Sequence, residues 1–194
     1  MSMLSEDRTK QVSKEKLSLL AKLRLLARDI KGVAAVEFAM LLPLLMTLYI
    51  GTVEISQGVT IDRKVTITAR TLADLVSQST VVTNADMNNI FAAINSVMLP
   101  FPTTTLSAVV SAVNINAAGV AKIAWSDGHN ASARAVNSTV VIPAALAVPN
   151  TQLIWGEVRY AYTPTIGYVI TGALNLSDQN FVRPRQSSTI TRTP

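Results

Sequence analysis

The strongest constraint on this chain is one block, Val33 to Val53 (VAAVEFAMLLPLLMTLYIGTV). A hydrocarbon core about 30 Å thick is crossed by roughly 20 apolar residues in a helix. This block supplies them with a single charge, Glu37. The pattern predicts a transmembrane helix over residues 33–54. Pro43 lies inside it; a proline breaks a helix in water, but membrane helices tolerate one and bend. Tyr49 sits near the far end, where an amphipathic ring favours the interface. The competing reading is a cleaved secretory signal, whose apolar core runs to roughly 7–15 residues before an A-x-A-like exit site. The block is longer than that, and no such site follows it.

The charge distribution orients the span. Up to Gly32 the chain carries eight Lys/Arg and four Asp/Glu, whereas the whole chain has a formal net charge of +5. The basic excess therefore belongs to the leader, residues 1–32, and suits an anionic membrane surface. Nucleic acid is not an expected partner, because the leader has no aromatic residue to interleave with its cations. Within the leader, Leu19, Leu20, Leu23, Leu26, Ala27 and Ile30 make one apolar helical face among Lys16, Lys22, Arg24, Arg28 and Lys31. Two readings stand: an amphipathic helix lying on the inner leaflet, or a charged lead-in that orients the span. Lys and Arg are denser before the span than after it, which places the N-terminus in the cytoplasm and residues 55–194 outside. Arg63, Lys64 and Arg70 on the far side reduce that contrast.

Beyond the span the pattern is α+β. Glu54 to Ser79 keeps helical spacing: Ile55, Val59, Asp62/Arg63, Thr66, Ala69, Leu72 and Val76 mix polar with apolar at first and then improve, which predicts the membrane helix continuing as an amphipathic stem, with Gly58 a weak point. Thr83 with Asp86 three residues later resembles a capping box, opening a short helix whose apolar face is Met87, Ile90, Phe91, Ile94, Val97 and Met98. Leu99-Pro100-Phe101-Pro102 ends it. From Thr105 the texture becomes β-branched and alternating. Strands are expected over 106–116, 120–126, 138–142, 153–163, 168–176 and 187–193, with a hairpin turn at Asp127-Gly128-His129-Asn130. Five or six short strands joined by tight turns make an antiparallel sheet. On the strand 153–163, Tyr160 and Tyr162 share a face, and Trp155 lies on the other if the strand carries no bulge.

Catalytic chemistry finds little support. There are no cysteines and one histidine, His129, on the expected turn beside Ser126 and Asp127. A triad needs groups converging on a pocket, whereas three neighbours on a turn are turn formers. The acids are too scattered for a metal site, and no glycine-rich phosphate loop occurs, so neither metal nor cofactor is expected. Asn130, Asn137 and Asn175 fit the N-glycosylation pattern but read as solvated loop and strand residues. Arg183-Pro184-Arg185 reads as an exposed extended segment. The sharpest polar feature is Glu37. A carboxylate central in a span costs roughly 2.5–3.5 kcal/mol on insertion scales and is normally retained for function; the alternative is a shallow carboxylate that snorkels to the interface.

The residues GVAAVEFAMLLPLLMTLYIGTVEISQ resemble the N-terminal signature of TadE/TadG-like proteins, components of the bacterial tight-adherence (Tad, or Flp) pilus. Gly32, Glu37, Phe38 and Pro43 match the pattern in place. RTLADLVSQST and NADMNNIFAAI resemble the continuation seen in alphaproteobacterial members; AWSDGHN, EVRYAYTP and RPR have a similar flavour. The resemblance implies a pilin-like fold and a non-catalytic role in assembling, initiating or building the pilus. It implies a processing site of the type cut by prepilin peptidases, between Gly32 and Val33, with Glu37 and Phe38 completing the motif, although the leader is longer than is usual for a prepilin. It also implies an inner-membrane, single-pass protein with a periplasmic domain. Its partners would be pilus and secretion machinery, pilin-like subunits and a prepilin peptidase, with Glu37 acting in assembly. The rival reading is an uncleaved single-pass periplasmic module that binds a ligand or an envelope component.

Overall fold

The computed structural model describes residues 30–164, 167 and 172–194, and the chain divides into two units, before and after the junction of Gly51 and Thr52. The expected leader and the start of the expected strand 168–176 lie outside the described residues. One helix, α1 (Ile30–Ser77), opens the described chain. In the first unit its large apolar side chains are exposed all round, including Val36, Phe38, Met40, Leu41, Leu44, Leu48 and Tyr49. A helix apolar on every side must be covered by something other than water. It is long and apolar enough to cross a membrane, with a mean hydropathy of 2.0 over its most apolar window. Pro43 lies within it without ending it, and the Pro43 carbonyl accepts a hydrogen bond from Thr47 Oγ1 at 2.8 Å.

The second unit is α+β, as strand patterns following helical ones, without alternating with them, predict. After α1 come β1 (Val81–Val82), α2 (Asn84–Met98), β2 (Leu106–Ile115), β3 (Ala121–His129), β4 (Thr139–Val140), a 3-10 turn (Ala144–Leu146), β5 (Thr151–Tyr162), β6 (Leu174–Val182) and β7 (Thr191–Arg192). The main sheet has the order β4-β3-β2-β5-β6, antiparallel throughout. The short helix starts where expected: Thr83 Oγ1 accepts from the Asp86 amide at 3.2 Å, and Asp86 Oδ2 accepts from the Thr83 amide at 2.9 Å. Met87, Ile90, Phe91, Ile94 and Met98 are buried from it.

The stem of α1 lies on one face of this sheet. Its buried stripe is Glu54, Gly58, Ile61, Val65, Thr68, Ala69, Leu72, Ala73 and Val76, at the three- and four-residue spacing of one helical face. Ile55 and Val59, expected on the apolar side, are instead 52% and 48% exposed. At Ala69 and Ala73 the packed stripe comes very close to β5. A Cβ built on Gly156 would stand 2.9 Å from the Ala69 carbonyl oxygen and 3.1 Å from Ala73 Cβ. Farther along β5, Tyr162 OH donates to Gln57 Oε1 at 3.1 Å. Gly156 to Tyr162 covers about 20 Å of strand, and Gln57 to the level of Ala69 and Ala73 about 21 Å of helix. The stem therefore runs antiparallel along β5.

Three sequence expectations are corrected. Asp127, Gly128 and His129 are not a hairpin turn: they complete β3, paired to Val110, Val109 and Ala108 of β2. The reversal follows at Asn130, which takes the left-handed conformation (φ 50). Of the strand expected over 168–176, the described residues show β6 from Leu174, running past the expected end to Val182. The last expected strand, 187–193, reduces to β7, which pairs in parallel with β1 in a separate two-stranded sheet. Parallel pairing follows from the path of the C-terminal segment as a strap. Arg185 N donates to the Ser77 carbonyl at 2.9 Å, and Ile190 is buried, its amide donating to Gln152 Oε1 (2.6 Å) and its carbonyl accepting from Trp125 Nε1 (2.8 Å).

Candidate functional site

The four residues of the expected processing motif lie in the first turns of α1. Nothing stands within 4 Å of a Cβ placed on Gly32. Val33 and Phe38 are 51% and 59% exposed, and Glu37 is exposed beside them. Val33 and Glu37 are four residues apart and so share a face. The described part of the first unit thus carries one carboxylate in an apolar helix, with Gly32, Val33, Glu37 and Phe38 all exposed.

The second unit holds the polar groups that sequence reasoning weighed for catalysis. Ser126 Oγ is 2.9 Å from Ser111 Oγ, 3.2 Å from the Val110 carbonyl it donates to, and accepts from the Arg134 amide at 3.0 Å. Asp127 lies on the other face and receives Arg192 Nε at 2.7 Å. His129 stacks on Phe91 with ring centroids 5.1 Å apart, and its Nε2 is 3.4 Å from Asn95 Nδ2. Ser126 therefore points to one side of the sheet and Asp127 to the other, so they do not converge on a common reacting atom. Among the described residues no group of three or more His, Cys, Asp or Glu is placed to hold a metal.

Of the Arg183-Pro-Arg185 segment, Arg185 is an ion-pair partner of Asp74. On β5, Trp155 faces away from the stem and stacks on Phe181 at 5.2 Å, while Tyr160 and Tyr162 join the core under it. No register shift interrupts β5 against β2. The shift falls instead between β2 and β3, where Ala112 pairs with Trp125 and Val113 with Ile123. Sequence reasoning missed a further arrangement on the outer face. Arg134 bonds Glu157 through Nε (3.0 Å) and Nη2 (2.7 Å), and its guanidinium lies 4.0 Å above the Trp155 ring. Arg134 is on an irregular loop 23 residues from Glu157, so no local periodicity could signal the pair.

The α1 helix, with its apolar first unit and packed stem, is the element that comparison with known proteins singles out. Residues 32–74 match the family model for TadE-like proteins. The match runs from the glycine of the expected processing motif to Asp74, the stem residue that pairs with Arg185, and covers less than a quarter of the chain. TadE-like proteins are structural, pilus-associated components. No curated protein and no solved structure matches the chain. The likeness therefore concerns α1, and the sheet of the second unit stands on its own description.

Proposed function

We propose that this chain is a membrane-anchored, non-catalytic subunit of a Tad-type pilus, a minor pilin or pseudopilin. The observation that carries the reading is the TadE-like match over 32–74, coincident with a helix whose first unit is apolar on every side. In this reading α1 spans the inner membrane with the basic leader in the cytoplasm, and the second unit lies in the periplasm. The topology is testable with alkaline phosphatase fused after Pro194: the fusion is active in intact cells, and a stable but inactive fusion overturns the orientation.

A prepilin peptidase cuts between Gly32 and Val33. Glycine, with no side chain, lets the backbone before the cut lie extended in a protease cleft, and the exposed motif leaves the approach open. Coexpression with a prepilin peptidase of a Tad system shortens the wild-type protein by the mass of residues 1–32, and Gly32→Leu blocks this. If the wild-type chain keeps its full mass under those conditions, the uncleaved binding module becomes the better reading.

A further inference from the structure

The outer face of the sheet, away from the stem, carries a trough centred on Arg159. Three adjoining shallow grooves of about 330, 330 and 560 Å³ all include Arg159 in their walls. Cross-strand register sets Ser107 on one side of Arg159 and Ser177 on the other. Ser132 and Asn175 add further hydroxyl and amide groups along the trough.

The charges in it are unevenly committed. The Glu157 carboxylate is held by Arg134 through both oxygens. The Asp178 side chain lies on the opposite face, level with Val158. Arg159 is exposed and makes no ion pair or hydrogen bond with any described residue. The one carboxylate on this face is paired and the Arg159 cation is open, so the trough is suited to an oxyanion. A guanidinium binds a carboxylate through two parallel hydrogen bonds, and serine hydroxyls both donate and accept.

We propose that this trough binds an acidic saccharide, with a uronate carboxylate on Arg159 and sugar hydroxyls on Ser107, Ser177 and Asn175. The shallow, open shape suits an extended polymer better than a small ligand, which is normally enclosed. A single-stranded nucleic acid would need a basic track and open aromatic faces; the trough offers one open cation, and Trp155 is covered by Arg134. The reading of the second unit as periplasmic bears only on where such a polymer is met. Binding by the purified protein tests the trough whether or not that reading holds.

The test uses the full-length chain in lipid nanodiscs, titrated with an oligogalacturonate, with the same oligomer as its methyl ester, and with inorganic phosphate. The acid binds, and the ester, which keeps the hydroxyls and loses the charge, binds at least about tenfold more weakly. Arg159→Gln loses a similar factor, Ser177→Ala a smaller one, and Arg70→Gln on the exposed side of α1 leaves binding unchanged, with all three variants melting like wild type. Equal binding of acid and ester, unchanged affinity in Arg159→Gln, or no binding of the acid overturns the proposal. Competition by phosphate at the concentration of the sugar overturns the saccharide assignment, since charge alone would then explain recognition.

Discussion

Asp86 owes its acidity to Thr83. The Thr83 hydroxyl and then its amide hold the carboxylate, and with the Arg192 charge they lower its pKa below the usual 3.8, against a smaller upward push from burial. An acid with a lowered folded pKa binds fewer protons folded than unfolded in the intervening range, so stability rises with pH there. The contribution is fully present above about 3.8, the unfolded value, and is lost as pH falls through the folded one. In thermal melts the gap between wild type and Asp86→Asn is therefore constant near neutrality and closes in acid below the ordinary carboxylate range. A gap independent of pH down to strong acid would rule out the carboxylate as its source. This cap was legible in the sequence because both partners lie within one turn. The fate of Asp127 was not: its partner Arg192 is 65 residues away, and nothing local to Asp127-Gly128-His129 distinguishes a strand end fixed by a distant arginine from a turn.

At the scale of elements, the closest contact is the stem of α1 on β5. Gly156→Val would drive a branched side chain toward the Ala69 carbonyl and the Ala73 backbone, which cannot swing aside as a flexible side chain could. Overpacking of this kind costs about 1–3 kcal/mol, and a lowered denaturation midpoint with unchanged slope measures it; wild-type stability would show that the helix can lift off the strand. The stem was predicted as a helix from its spacing, and is one. Which side it buries was read less well: Ile55 and Val59 looked like core, while Gly58 looked like a weakness and is buried. Helical period says that a face exists, but Gly156, 98 residues beyond Gly58, sets where the helix comes close to the strand. The β3 irregularity was equally hidden. By setting Ile123 and Trp125 on opposite faces, it brings the Trp125 indole to the Ile190 carbonyl, a contact between segments 65 residues apart.

At the scale of the whole molecule, the succession of a long apolar helix and an α+β fold was open to reading from hydropathy and strand texture, because both are properties of long stretches and tolerate local error. The strap of residues 185–193 was not, since it has few apolar residues and its partners Asp74, Ser77, Asp127 and Gln152 are distant in sequence. In the proposed pilus role, Glu37 serves assembly. Cleavage frees the amine of Val33, and in a stack of subunits that amine approaches a neighbour's Glu37; away from water each unpaired charge is costly, and pairing reduces the cost of both. An intrachain contact between the two, four residues apart, is the competing explanation. Glu37→Gln inserts and folds normally while its crosslinking to pilus components falls; crosslinking and piliation at wild-type levels would remove Glu37 from assembly.

The alignment of the stem with β5 has a mechanical side. A pull on Thr52 along the helix axis runs parallel to the strands, so it loads the stripe from Glu54 to Val76, about 33 Å of contact, in shear. Every buried side chain along that length resists at once, and the Arg185 bonds to Ser77 and Asp74 brace its far end. A pull across the strands would instead peel the same contacts apart one turn at a time. Force along the helix axis is therefore shared over the whole contact, whereas force from the side falls on one turn at a time.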